Sequence, residues 1–431
     1  MNSKSLKPQN LPEAVVWYSI VGTYIIYLLG AYYFLTAFMG SFLLFHLFKK
    51  WQKQTEVTPE HERVVIAPLA WAWLGAIIIV ELALIVSHFN YELGTGTIIK
   101  STSHWFRTWA IFAIFPLAGH LEIRPQIIYR AICILCLQSI IVAGVGTVLG
   151  LAISPETFYV SPLQISGGDI IQYEVHLVHS LINSRLQLFS PWATGLGTTG
   201  NTYILFALQE TDKKWRTIGI ISSVMMVIFS WSRLAIVTLF FMPVVLLFLS
   251  NLTRPWIHFT TSIMCFLSGL FFVNIANFVY FFQTQVDSLR TDTKSSSNTR
   301  EAIYELTLYL WRTEAPIWGH GLTGETGPAA IDRYPIGSHQ TWYYLLYSYG
   351  LVGFLPCLMV TIWTLIKLLI QAQKDQQAKL CLGLFLVIVL NSFTDNIQSF
   401  AYLYWPALLM LGIHIKQNLS FSRQDFSLIP Q

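Results

Sequence analysis

Three stretches of this chain place cationic or titratable side chains where an otherwise apolar sequence has little use for them. In VIFSWSRLAIVTLF, Arg233 is the only charge between Arg216 and Arg254. The apolar run before it, Thr217 to Trp231, reaches only about 22 Å as a helix, short of a full bilayer. A guanidinium there lies below the membrane surface, at a cost of about 2.5 to 3.5 kcal/mol unless it is paired, snorkels or faces a cavity. Snorkelling to headgroups is the plain reading. The sharper reading is an anion site, because a guanidinium fork matches the oxygens of a phosphate. Further along, Arg290, Lys294, Arg300, Arg312 and Arg333 crowd one polar segment, and the plain account pairs them with Asp287, Asp292, Glu301, Glu305, Glu314 and Asp332. Finally PIGSHQTWYYLLYSYGLVGFLP, Pro335 to Pro356, sets Ser338, His339 and Gln340 at the threshold of a long uncharged helix.

The elements that must position these groups are membrane helices. A chain of 431 residues with 54% hydrophobic and 11% charged residues, and a mean hydropathy of +0.54, carries more apolar surface than a soluble core could hide. We read one integral membrane domain over residues 1–431. Crossings are expected at Val64 to Val86, Thr108 to Leu121, Ile127 to Ile153, Thr194 to Leu208, Thr217 to Trp231, Leu234 to Leu249, Ile257 to Phe282, Trp342 to Ile370, Leu380 to Phe393 and Phe400 to Ile415. Ala14 to Phe48 is longer than one helix needs and holds Gly30 near its middle, which suits two short helices with a tight turn. The fold class is therefore all-α, a polytopic helical bundle of about twelve transmembrane helices. With both termini inside, 17 of the 26 Lys and Arg residues fall on the cytoplasmic side, as short basic loops require. Two long loops then lie outside, residues 154–192 and 284–341, and the second holds the cationic segment. Within it Arg300 to Trp311 has the pattern of an amphipathic helix on the outer face.

Other motifs carry less chemistry. The five cysteines lie in apolar runs and read as small buried hydrophobes, the Cys133-x-x-Cys136 pair included. The first apolar run has no small-residue cleavage site after it and reads as a retained helix. GHGLTG and GLGTTG both fit a dinucleotide spacing, but neither follows a strand in a βαβ unit, so no cofactor is expected. Gly319 and Gly321 instead let the loop turn back to the membrane. In the first outer loop, Asp169, Glu174, His176 and His179 match no zinc spacing, and an amphipathic interfacial helix is the preferred reading; Arg185 just after it could face sugar or diphosphate. Glu81, Asn391, Asp395 and Asn396 are polar residues costly within a bilayer, expected to face the bundle interior or a cavity. Asn251 in NLT falls in a cytoplasmic turn and is expected to carry no glycan.

Taken in order, SWSRLAIV (Ser230 to Val237), NTREAIYELTLYLWRTEAPIWGHGLTG (Asn298 to Gly324) and SHQTWYYLLYSYGLVGF (Ser338 to Phe354) resemble the O-antigen ligase and O-antigen polymerase superfamily of polyprenyl-diphosphate-dependent membrane glycosyltransferases. The shared pattern is a serine-arginine turn, an arginine opening an amphipathic helix that runs into a Pro-Ile/Leu-x-Gly-x-Gly segment, and a histidine entering a helix that ends Gly-hydrophobic-hydrophobic-Gly. The resemblance spans the chain from about Arg185 onward. One departure is Gln340, where asparagine commonly follows the histidine; glutamine can still orient the histidine or a sugar hydroxyl. The resemblance implies a GT-C-like fold in a bacterial inner membrane with its site facing the periplasm. It also implies a glycan donor on undecaprenyl diphosphate, a glycan or lipid-core acceptor, and inversion at the anomeric carbon. In that frame His339 is the base, and Arg233 and Arg300 are the diphosphate clamps. Arg185, Arg290, Arg312, His320, Arg333 and Gln340 are secondary candidates. Guanidinium groups can take the role of a divalent ion, so neither metal nor cofactor is required, and no nucleic-acid partner is implied.

Two other functions compete. A transporter of a small anion such as bicarbonate would concentrate polar groups at mid-bilayer in two related halves, and no internal repeat is seen. A lipid-linked glycan flippase would need a charged central passage, against the low charge of most helices. Between ligase, which transfers a finished glycan to a lipopolysaccharide core, and polymerase, which joins repeat units of a surface polysaccharide or exopolysaccharide, we lean to the polymerase. Trp311, Trp318, Tyr334, Trp342 and Tyr343 offer stacking platforms for sugars, although aromatic belts line any membrane interface.

Overall fold

A computed structural model describes residues 6–55, 63–150, 159–163, 173–177, 185–270, 294–322 and 335–427. Helices dominate: α1 Leu11–Val21, α2 Thr23–Leu28, α3 Tyr32–Lys53, α4 Pro68–Asn90, α5 Thr95–Arg107, α6 Ile111–Ala118, α7 Pro125–Leu149, α8 Ala193–Leu208, α9 Lys213–Phe229, α10 Arg233–Leu249 and α11 Pro255–Leu270. They continue with α12 Lys294–Glu314, α13 Thr341–Ala372, α14 Gln376–Ser392 and, after a 3-10 turn at Ile397–Phe400, α15 Ala401–Ser427. Among the described residues α4, α7 and α13 are long and apolar enough to cross a membrane, while α1, α10 and α14 are apolar but shorter. The expected turn at Gly30 is present: Gly30 adopts φ 74° between α2 and α3, and a side chain there would meet Ser161. The crossing expected over Thr108 to Leu121 holds only the eight-residue α6, since α5 ends before it at Arg107 and the chain turns at Thr108 to Ala110. Of Ile257 to Phe282, residues beyond Leu270 lie outside the described set.

Ion pairs gather the basic loops at one end of the bundle. Arg124, ahead of α7, makes two short hydrogen bonds to the Glu13 carboxylate of α1, at 2.7 Å each. Lys50 at the end of α3 pairs with Glu122. Arg130 forks onto Glu210 before α9, at 2.9 Å through both nitrogens. Gln373, at the end of α13, donates to the Leu249 carbonyl at the end of α10. These turns are the ones the charge distribution assigns to a single side.

The expected amphipathic helix in the first outer loop is not what the described residues adopt. Tyr159–Val160 and Glu174–Val175 form a two-residue antiparallel ladder, and His176 bridges to Leu188. The cause is a period of two: Tyr173 and Val175 are buried while Glu174 and His176 are half-buried, an alternation that suits a strand. The Glu174 and His176 side chains lie 3.4 Å apart; Asp169 and His179 lie outside the described residues.

α13 is two helices end to end. Gly350 sits at φ 59°, ψ −163°, so the chain leaves the helix at Tyr349 and re-enters at Leu351. A break inside an apolar helix strands backbone donors and acceptors, which must find partners. They find them in the segment after α12. The Leu351 and Val352 amides donate to the Pro316 and Ile317 carbonyls at 3.0 and 3.1 Å, and the His320 and Gly321 amides donate to Tyr347 and Ser348 at 2.8 and 2.9 Å. Gly319 and Gly321, both at φ 76°, permit this approach: a Cβ on Gly319 would stand 2.5 Å from the Gly350 amide. The glycine run is thus a strap across a broken helix. Gly350→Ala is expected to destabilise the protein by about 1 to 3 kcal/mol or more, through its positive φ and the collision with the Ile317 carbonyl, read as a lower midpoint of thermal unfolding in detergent.

Candidate functional site

At the end of the bundle opposite the basic loops, three segments far apart in sequence meet. The first is the turn between α9 and α10. Trp231 turns the chain at φ 49°, Ser232 caps α10 by accepting from the Ala235 amide, and Arg233 takes the first helical position. α8 seats this turn: a Cβ on Gly197 would stand 2.6 Å from both Ala235 and Ser230, and Asn201 donates to the Ala235 carbonyl at 2.9 Å. GLGTTG is therefore a packing surface of small residues, since only there can the Arg233 turn come so close to a helix. Arg185 locks the turn from outside, donating to the carbonyls of Ser230 at 3.0 Å and Trp231 at 3.2 Å.

The second segment is α12. Arg300 is exposed on it, and Tyr304 follows one turn later on the same face. Tyr304 packs on Tyr343 of α13 with ring centroids 4.9 Å apart. The third segment is the entry to α13. Gly337, at φ 82°, donates its amide to Thr307 of α12 at 3.0 Å, tying the two elements together. His339 itself is at φ 69°, a left-handed conformation that costs about 1 to 3 kcal/mol in a non-glycine residue and is held only where surrounding contacts impose it. Gln340 is the N-cap: its side chain accepts from the Tyr343 amide at 3.3 Å. This gives the residue that departs from the usual asparagine a local structural task.

A fourth contributor was not singled out as a site residue from sequence. Thr341 donates to the Asp395 carbonyl at 2.8 Å and accepts from the Ile397 amide at 3.0 Å, so the turn after α14 is pinned to the start of α13. Burial pushes the Asp395 carboxyl up, and the Arg300 and Arg185 guanidiniums pull it back. Burial also lowers Arg185, with Asp395 opposing and Arg233 and Arg300 adding to the fall. His339 is lowered by burial and then by Arg300. Arg185, Arg233, Arg300, His339 and Asp395 are thereby one electrostatic group, with Arg233 linked to it through Arg185. Beside it, Ser338 Oγ and Asn396 Oδ1 are buried without a hydrogen-bond partner. Buried polar atoms left in this state are costly, and a ligand hydroxyl would satisfy them.

The remaining candidates are placed elsewhere or not described. Arg312 is exposed in the last turn of α12, about 18 Å along the helix from Arg300, and is not among the charges acting on Arg185, His339 or Asp395. His320 lies in the strap, stacked on Tyr347 at 4.2 Å and on Tyr91 at 5.6 Å, with Nε2 3.0 Å from Glu314. Arg290 and Arg333 fall outside the described residues, as does Tyr334. Among the described residues no group of three or more His, Cys, Asp or Glu side chains is arranged to hold a metal.

Since the Tyr304–Tyr343 contact joins α12 four residues after Arg300 to α13 four residues after His339, Tyr304→Ala should loosen their relative placement. Aromatic pairs contribute about 0.5 to 1.5 kcal/mol beyond burial, so a roughly two- to tenfold loss of activity is expected, with Tyr304→Phe close to wild type; a steady-state assay of the glycan transfer that the resemblance implies checks it.

No curated protein matches the chain. Residues 218–358, which run from α9 into α13 and include Arg233, Arg300 and His339, match the family model described as O-antigen ligase, and over that part the chain is similar to the O-antigen ligase/polymerase superfamily.

Proposed function

We propose that the protein transfers a glycan from a polyprenyl diphosphate to a sugar hydroxyl, at the periplasmic end of a GT-C-like bundle of about twelve spans in a bacterial inner membrane. The observation that supports this reading is a linked set of charges: Arg300 acts on the half-buried His339, and both Arg300 and Arg233 act on Arg185. Three guanidiniums in one place suit an anion with several oxygens, and a lipid-anchored diphosphate lies at the depth where the helices begin.

The chemistry asks little more. His339, kept neutral by burial and by Arg300, accepts the proton of the acceptor hydroxyl as its oxygen attacks the anomeric carbon from the face opposite the diphosphate. The glycosidic bond forms, the bond from the anomeric carbon to the diphosphate oxygen breaks with inversion, and the electron pair leaves on polyprenyl diphosphate. Arg233 and Arg300 meet the charge building on that oxygen, and no divalent ion is needed for the role they fill. Asp395 supplies a counter-charge that keeps the cationic group in place before the donor arrives. Extension of lipid-linked glycan, as by a polymerase, is preferred to transfer onto a lipid core, because Tyr304, Tyr343 and Trp342 offer ring faces beside the site. Transport of a small anion gains nothing from the structure, since the described cations lie toward the two ends of the bundle and form no path between them.

Purified protein incubated without added metal with a polyprenyl-diphosphate oligosaccharide should yield longer lipid-linked glycans, resolved by mass. Absence of any longer or transferred product, together with normal surface polysaccharide in cells carrying His339→Ala or Arg300→Ala, would overturn the reading.

A further inference from the structure

At the end of the bundle away from the arginine group, α3, α4 and α6 leave a groove of about 420 Å³, within the range of small-molecule sites of about 300 to 1,000 Å³. Leu44, Phe45, Phe48, Trp51, Trp71 and Leu74 line it. Its one hydroxyl, on Ser41, is already donated to the Ala37 carbonyl at 2.8 Å, so apart from the indole N–H groups of Trp51 and Trp71 at the rim the lining offers an occupant no side-chain donor. The body of the occupant must therefore be apolar.

The mouth of the groove has the opposite character. The Lys49 ammonium stands over the ring of Phe45, 4.7 Å from its centroid, and Lys53 is exposed one turn on. The neighbouring Glu122 carboxylate is held by Lys50, so it is already engaged. Trp51 and Trp71, both exposed, set the rim at the level where indoles favour the boundary between hydrocarbon and headgroup. An apolar slot opening beneath two lysines, for which no carboxylate partner is found among the described residues, matches an anionic lipid in a membrane.

We propose that this groove holds an acyl chain of an anionic phospholipid whose phosphodiester lies against Lys49 and Lys53. The inference rests on the protein lying in a membrane and is independent of the transfer reaction. Each lysine near an anionic headgroup contributes about a fivefold preference.

The test is native mass spectrometry of the full-length protein released from nanodiscs made of equal parts phosphatidylglycerol and phosphatidylcholine. Wild type should retain one phosphatidylglycerol at least fivefold more often than phosphatidylcholine, and the Lys49→Gln/Lys53→Gln variant should retain the two equally. Leu74→Trp and Ser41→Phe, which fill the groove from two sides, should each lose the bound lipid while keeping the helical circular dichroism of wild type. Should one of them fail to fold, the other decides. Equal retention of both lipids by wild type, an unchanged preference without the two lysines, or full retention in a folded groove-filled variant would each overturn the proposal.

Discussion

Replacement of His339 by glutamine is expected to lower kcat by about 10² to 10⁴, the range a positioned general base contributes. Glutamine keeps polar bulk at the position, so thermal stability and donor binding should stay near wild type. The pH profile then separates a base from a merely structural histidine. A base works in its neutral form, so kcat/KM falls as pH drops through the pKa of the free enzyme. That pKa lies below the ordinary histidine value, first because burial disfavours the imidazolium and second because Arg300 repels it. The acid limb of wild type is thus expected below about pH 6.5, the unperturbed value. Arg300→Gln removes the second cause and leaves the first, so its limb should move upward yet stay below that value. Bound diphosphate offsets the charge of Arg300 in wild type, so the limb in kcat should lie above the limb in kcat/KM. A limb unmoved in Arg300→Gln would remove His339 from the role of base.

Residue type against background carried most of what the sequence could tell about this site. Arg233 stood out because nothing else in its neighbourhood is charged, and His339 because it precedes a long apolar run. What stayed hidden depends on contacts between segments remote in the chain. Asp395 reads as one costly polar residue among several, and only the bond from Thr341, 54 positions away, brings its turn to the entry of α13. By sequence Arg185 reads as a residue that could face sugar or diphosphate; its guanidinium buttresses the Arg233 turn. The break at Gly350 was equally out of reach. A glycine within a helix costs only about 1 kcal/mol, so a continuous crossing over Trp342 to Ile370 was the simpler expectation. The decisive partner is the strap at Pro316 to Gly321, whose glycines looked like a loop feature. The first outer loop went astray for a different reason: its alternation covers only a few residues, too few to outweigh the amphipathic pattern of the longer stretch.

Removing a single clamp arginine is expected to reduce transfer by roughly ten- to hundredfold, because a charge-assisted hydrogen bond contributes about 1.5 to 3 kcal/mol. Arg233→Ala and Arg300→Ala should both show it, and the split between kcat and KM reports when each bond matters. A contact equally strong to bound donor and to the transition state raises KM alone. One that strengthens as charge builds on the leaving oxygen lowers kcat. Two arginines on one diphosphate share a ligand, so the double variant should lose less than the sum of the single losses, a coupling that arginines at separate sites would not give. Lysine substitutions sharpen the point: Arg300→Lys keeps the charge and discards the fork, so it should recover binding more than rate. Arg312→Ala provides the control. It removes the same charge from the same helix about 18 Å away from Arg300, so general attraction between a basic helix and an anionic substrate would weaken it as well. Activity of Arg312→Ala within about twofold of wild type, beside a tenfold or greater loss in Arg300→Ala, would locate the effect in the guanidinium group around His339, since both variants lower the net charge by the same amount.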